Sequence, residues 1–353
     1  MRLATTVPTA DPRRMGALFA ELEGLGYDTA FSFEAKHDPF LPLAVASTTT
    51  TTIRLGTAVA IGFARNPMVL ANTGYDLQVL TEGRFVLGLG TQVRPHIEHR
   101  FSETWSHPAA RLGELVRAIK AIWAGWEGEA PLDFRGRFYD HTLMIPAFDP
   151  GPNPFGPPPV FTGGVGPRVT EVAGEVADGF LVHPFHTPDS LRATTLAALA
   201  RGRERSGRTL DGFEVVVVTM VVTWDEGDDE AEARARASLA DQLAFYGSTP
   251  AYAPTLAAAG LADLHPELNR RSKEGRWAEM AALIPDGFAE SVAVVGPRPT
   301  IAARLAERVE GLGLPRVTAS LVNNRNPDPG HFGDVVATLR ARGDGDADAL
   351  GPR

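Results

Sequence analysis

The stretch TEGRFVLGLGTQVRPHIEHRF, residues 81–101, decides between two kinds of α/β protein. Glu82-Gly83 reads as a turn, and Arg84-Phe85-Val86-Leu87-Gly88-Leu89-Gly90 as one short, fully buried strand. A Gly-x-Gly at a strand end suggests a dinucleotide loop. That loop needs a third glycine at position 93, where Val93 stands, and a helix that starts at once. Pro95 follows instead, and the next strong helical pattern begins near residue 108. The dinucleotide reading therefore fails on spacing. Gly88 and Gly90 keep two readings: a strand end crowded by neighbouring backbone, or a surface that lets a ligand come close.

Outward from this strand the pattern repeats. Leu3–Val7 is a first strand, and Asp11-Pro12 opens a helix whose Met15, Leu18, Phe19, Leu22 and Leu25 recur at helical spacing. Asp28–Phe33 is a second strand, residues 40–51 a second helix, and Ile53–Ile61 a third strand. Asn66-Pro67 opens a third helix, with Val69, Leu70, Thr73, Leu77 and Leu80 expected inward. Leu112, Leu115, Val116, Ile119, Ile122, Trp123 and Trp126 mark the fourth. An aromatic, hairpin-like piece and a Pro/Gly-rich passage interrupt the rhythm at about 127–158. Strands at 159–162, 178–183, 213–223 and 315–322 then alternate with helices, with a second interruption at about 247–291.

Strict strand–helix alternation implies a parallel sheet. About eight such units predict an α/β fold of the closed (β/α)8 TIM-barrel type. A doubly wound open sheet is the runner-up. The expected organisation is one domain over 1–353, with the insertions after strand four and between strands seven and eight, neither having a core of its own. Residues 247–291 are expected to cover the C-terminal mouth as a helical lid, with Tyr246, Tyr252 and Trp277 as its aromatic surface.

Composition narrows the function. Net charge is −9, which argues against a nucleic-acid footprint. No apolar run approaches the ~20 residues of a membrane-spanning helix. The chain has no cysteine, which removes disulfides and thiolate chemistry and suits the cytosol.

In a barrel the chemistry sits at the C-terminal strand ends. Those ends carry Thr5, Thr6 and Thr9; then Glu34, Lys36, His37 and Asp38; then Arg65; then Thr91, Gln92, Arg94, His96 and His99. Strand five ends in Gly163-Gly164-Val165-Gly166-Pro167-Arg168, strand six in His183 and His186, and strand eight in Asn323, Asn324 and Arg325. Bare glycine amides before a Pro-started helix make an anion nest or a tight turn. The histidine pairs lack the His-x-His of metal-dependent barrels, so no metal is expected.

These stretches together resemble the bacterial luciferase-like superfamily, in its branch that uses the deazaflavin coenzyme F420. The matching segments are RLGTAVAIGFARNPMVLAN (54–72), LTEGRFVLGLGTQ (80–92), HPAARLGELVRAIKAIW (107–123) and GPRVTEVAGEVADGF (166–180). QLAFYGSTPAY (242–252) resembles one subgroup of F420-dependent oxidoreductases. The resemblance implies hydride transfer between F420 and a small organic substrate. It implies a non-proline cis peptide at Ala58–Val59 backing the ring, with Ala60, Gly90, Thr91 and Gln92 beside it. Gly163, Gly164, Val165 and Gly166 would hold the phosphate, and Arg65 and Arg168 would meet the acidic tail. His37 or Glu34 would stand near the reacting carbon, with His37 moving the proton. Val93 and the Glu34–Asp38 segment depart from the sugar-phosphate dehydrogenase of this family, so sugar-phosphate oxidation is not implied. The alternatives are an FMN-dependent monooxygenase and a cofactor-holding barrel without turnover. A homodimer is expected, because Leu43, Met68 and Leu70 exceed what the barrel would bury.

Overall fold

A computed structural model describes residues 1–7, 11–322 and 329–349. Thr9, Asn323, Asn324 and Arg325, named above from the sequence, lie outside the described residues. Eight parallel strands close on themselves: β1 (Arg2–Val7), β2 (Thr29–Ser32), β3 (Arg54–Thr57), β4 (Phe85–Gly90), β5 (Val160–Gly163), β6 (Gly179–Val182), β7 (Glu214–Trp224) and β8 (Val317–Val322). Closure comes from two pairings: β6 with β7, where Gly179 faces Glu214, and β8 with β1, where Thr318 faces Arg2. The fold is a (β/α)8 barrel.

The barrel is filled, not hollow. Phe31, Val86, Phe161, Leu181 and Val216 meet inside it with Ala4. The two rings have room because glycines oppose them. A Cβ on Gly56 would stand 2.9 Å from the Phe31 ring, and one on Gly179 would stand 2.6 Å from that of Phe161. At the N-terminal end buried Glu214 is neutralised by Arg54 at 2.9 Å and Arg2 at 3.3 Å, and accepts from the Thr318 hydroxyl at 2.7 Å. With its middle filled, the barrel offers its C-terminal strand ends, where barrels of this type carry their sites.

The helices α1 (Met15–Gly24), α2 (Leu41–Ser47), α3 (Pro67–Leu80), α4 (Pro108–Trp126) and α5 (Pro167–Val176) follow the first five strands. Asn66 caps α3 by accepting from the amides of Met68 and Val69. Two expectations for these helices are corrected. Val69 and Leu80 face solvent rather than inward; the buried face of α3 runs through Leu70, Ala71, Gly74, Tyr75, Leu77 and Gln78. Leu43 and Leu70 are fully buried within the chain, so they are not surplus; the exposed apolar residues of α2 and α3 are Leu41, Val45, Val69, Val79 and Leu80.

The first insertion carries a small antiparallel pair, Phe134–Arg135 with Asp140–His141. Glu114 of α4 anchors its turn by accepting from the amides of Arg137, Phe138 and Tyr139. The region after β7 differs from expectation in two ways. An additional strand, Val294–Pro297, pairs with the overhanging end of β7, Val221–Trp224. The region also has an apolar core: Trp224, Leu239, Leu243, Leu256, Leu268, Met280 and Phe288 pack together, joined to the barrel through Phe185 and Met220. Among the described residues no helix is long and apolar enough to cross a membrane.

Candidate active site

The crowding at the end of β4 answers the question raised by its glycines. Thr57 Oγ1 donates to the Gly88 carbonyl at 2.7 Å and accepts from the Gly88 amide at 2.9 Å. A Cβ on Gly88 would lie 1.7 Å from the Thr57 carbonyl oxygen. Gly88 is therefore a backbone crossing. Gly90 instead faces a side chain: its Cβ would lie 2.6 Å from Val59 Cγ2. Val59 also packs on Gly163, whose Cβ would meet Val59 Cγ1 at 3.1 Å. Val59 thus sits over the strand ends of β4 and β5, and Val59 rather than Gly90 faces the open mouth.

Strand three breaks here. Arg54–Thr57 and Ala60–Ile61 flank a cis peptide between Ala58 and Val59. Ala58 and Val59 remain half-buried on top of the barrel's inner cluster and form an apolar floor, while Ala60 is turned into the core between sheet and helices. Glu34 fixes this bend. Its amide donates to the Val59 carbonyl at 3.2 Å, and its carboxylate accepts from the Ile61 amide at 2.8 Å. Arg65 completes the clamp, reaching Glu34 at 2.6 and 3.1 Å and Asp38 at 3.1 Å over the Phe40 ring. Glu34 and Arg65 are thus committed to each other. His37 lies exposed on the rim three residues beyond Glu34.

The other sequence candidates line the rim. Thr91 and Gln92 are half-exposed; Gln92 has φ 59° and its Oε1 accepts from the Val93 amide. Gly163 pairs in register with Gly90. Gly164, Val165 and Gly166 then turn the chain into α5, with Gly166 at φ 103° and no heavy atom within 4 Å of the place its Cβ would take. Arg168 is exposed in the first turn of α5. Among the described residues no three His, Asp or Glu are grouped to hold a metal ion.

Sequence reasoning gave no role to the pair His183 and Tyr252, which are 69 positions apart. Tyr252, from the region after β7, stacks on His183 at the end of β6, with ring centroids 4.4 Å apart and Tyr252 Oη 2.9 Å from His183 Nε2. This contact places residues 250–258 at the C-terminal face. Trp277, grouped with Tyr252 from the sequence, lies instead on the outer surface beside Phe245. A cavity of about 360 Å³ opens between the Gly164–Pro167 turn, His183, His186 and Tyr252.

Burial holds both histidines neutral, His183 near a pKa of about 3 and His186 of about 4. Unfolded imidazoles titrate near 6.5. As the pH falls below that value the unfolded chain binds protons first. The stability carried by the two neutral rings is therefore complete above about pH 6.5 and is lost downward, until pH reaches the folded values. For His186, which is 5% exposed, the full loss amounts to about 3 kcal/mol. The melting temperature is expected to fall from pH 6.5 to 4.5, and more shallowly in His186→Phe. Equal slopes in the two proteins would refute this.

The mouth of the parallel barrel thus combines an apolar floor at a broken third strand with a row of glycines after the fifth. The profile of the luciferase-like monooxygenase family matches residues 2–315, and the chain belongs to that family. The uncharacterised protein Rv1360 of Mycobacterium tuberculosis is 49% identical over 313 residues, covering 88% of this chain and 91% of the relative. A putative coenzyme F420-dependent oxidoreductase of the same organism, Rv3520c, is 28% identical, with 81% and 84% of the two chains covered. Among solved structures, the coenzyme F420-dependent tetrahydromethanopterin reductase of Methanopyrus kandleri superposes with a TM-score of 0.74 at 19% identity, covering 96% of this chain and 97% of that one.

Proposed function

We propose that the protein is an F420-dependent oxidoreductase that moves a hydride between the deazaflavin and a small organic substrate. The observation that carries this reading is the pairing of an apolar floor, Ala58–Val59, with the glycine turn Gly164–Gly166, open at Gly166. Both features fit the cofactor: a flat ring needs an apolar face, and its phosphate needs bare amides at a helix start. The F420-dependent relatives support the same cofactor.

When bound, F420 supplies a carbon that gives or takes a hydride. The chain supplies the rest. Val59, seated on Gly90 and Gly163, would fix the ring's height, and the Glu34–Arg65 clamp would keep that floor from moving. Amides of residues 164–166 would hold the phosphate, with Thr91 and Gln92 flanking the ring. His37, free on the rim, would exchange the proton with the substrate. Arg168, exposed at the start of α5, would meet the acidic tail; Arg65, already paired, would act through Glu34.

The test is a fluorescence titration of apo-protein with F420 and with FMN. Tight F420 and weak FMN binding supports the proposal; the reverse selects an FMN-dependent monooxygenase. F420 binding without reduction of any acceptor would leave a holding protein.

A second copy of the chain would cover the apolar faces of α2 and α3, where Leu41 is 63% and Leu80 is 52% exposed. Sedimentation at micromolar concentration is expected to give the mass of two chains. Leu41→Asp with Leu80→Asp is expected to give one. A wild-type mass of one chain would dispose of the dimer.

A further inference from the structure

The loop that leaves β4 holds most of the backbone strain among the described residues. Four non-glycine residues there have positive φ, and three of them, Gln92, Ser102 and His107, lie within residues 91–107. Gln92 stands at the strand end itself, two residues past Gly90, the glycine on which Val59 of the floor packs. At φ 59° glycine is at ease and a long side chain is not. Asn or Asp would suit that backbone better. A strained residue of this kind persists where something besides the turn requires its side chain.

The hydrogen bonds separate what the turn uses from what it leaves free. Thr91 Oγ1 donates to the Gln92 carbonyl at 3.0 Å, a contact that any residue at 92 would keep. The Val93 amide donates to Gln92 Oε1 at 3.0 Å. An amide N–H can only donate, so this contact orients the carboxamide, with its oxygen in the loop and its nitrogen turned away. Nε2 has no hydrogen-bond partner among the described residues and is open to solvent. The Thr91 hydroxyl is engaged, and Glu34 and Arg65 hold each other. A free donor at this edge of the floor is therefore the uncharged NH2 group of Gln92.

We infer that Gln92 orients the substrate, its Nε2–H donating to a carbonyl oxygen on the carbon that exchanges the hydride. The substrate pair is then a carbonyl compound and its alcohol. The inference rests on the F420 proposal. In the reducing direction the carbonyl carbon takes the hydride, with both its electrons, from the reduced deazaflavin, which is oxidised. The C=O π pair moves to the oxygen, and the oxygen takes its proton from His37. Gln92 gives up no proton; its hydrogen bond strengthens as negative charge builds on the oxygen.

The experiment titrates oxidised F420 onto wild type, Gln92→Glu and Gln92→Gly by fluorescence. The loaded proteins are then titrated with cyclohexanone and with isobutyramide, each of which presents an uncharged carbonyl oxygen. Glutamate keeps the side-chain length and an oxygen for the Val93 amide but puts an acceptor where the donor was. It should weaken both carbonyl ligands by at least about 10-fold, the size of one hydrogen bond replaced by facing lone pairs. It should change F420 affinity by less than about 3-fold. Glycine removes the donor and the strain together. It should weaken the carbonyl ligands by about 5-fold and melt at or above the wild-type temperature. If Gln92→Glu does not fold by circular dichroism, Gln92→Gly decides alone. Carbonyl affinities that neither substitution changes overturn the inference. So does loaded wild-type protein that binds neither carbonyl ligand, or an F420 affinity that falls as far as theirs. A Gln92→Gly protein that melts well below the wild type also overturns it, since the side chain would then serve the turn. Each of these results leaves the F420 proposal standing. Wild-type protein that does not bind F420 overturns that proposal and the inference with it.

Discussion

Gly88→Ala is expected to lower the unfolding free energy by about 3 kcal/mol or more, from overpacking against an immovable neighbour. The added carbon would stand 1.7 Å from the Thr57 carbonyl, which is backbone in the adjacent strand and cannot rotate away. Relief requires β3 and β4 to part. That separation would also break the reciprocal pair in which Thr57 Oγ1 serves the Gly88 carbonyl and amide, inside a barrel that offers no water in exchange. Gly90→Ala is the control. It meets Val59 Cγ2, the end of a side chain, so the methyl groups can shift and the cost should be about 1 kcal/mol. Its consequence should be felt in ligand binding, because the side chain it displaces is the floor of the mouth. Urea unfolding of the two variants checks both halves. Similar losses at the two positions would mean that the strands part as easily as a valine turns.

The same pair of glycines shows how much of the site the sequence could disclose. The strand, its buried character and its failure as a nucleotide loop were legible from residues 81–101. The partners of the two glycines were not, since Thr57 and Val59 lie on the neighbouring strand and pairing register is a tertiary fact. The glycine turn at 163–166 was legible because glycines before a Pro-started helix state their geometry locally. Arg65 misled for the opposite reason. A lone arginine at a strand end looks free in one dimension, and its carboxylate partner lies 31 residues upstream.

Helix faces failed where the apolar stripe was broader than the buried one. Val69 and Leu80 extend the pattern of α3 past the edge that β4 and α4 cover, and hydropathy alone does not mark that edge. The extra strand at Val294–Pro297 was missed because its partner is the overhang of β7, four residues beyond the barrel rim register, and nothing in a four-residue apolar run announces that such an edge exists. His183 was visible at a strand end, but Tyr252 comes from a segment of short helices whose burial follows no single period. A site assembled from two such segments becomes readable only when the chain is folded.

Gly166→Asp is expected to weaken F420 binding by about 100-fold while the protein stays folded, because like charges brought together at one site cost several kcal/mol. The carboxylate would occupy the N-cap position of α5, where no heavy atom lies within 4 Å of the added Cβ. There it can accept from the first amides of the helix, the donors that a phosphate would need. The substitution therefore supplies an internal anion that competes for the nest. The backbone sets a separate cost, since φ 103° suits glycine and strains any other residue by about 1–3 kcal/mol. Gly166→Ala bears that strain without the charge, so the difference between the two variants isolates the electrostatic part. Alanine should weaken binding by no more than about 3-fold. The Asp variant should regain part of its affinity as added salt screens the repulsion. If both variants lose affinity equally and salt changes neither, the loop shapes the site without holding an anion, and the phosphate must be bound elsewhere on the mouth.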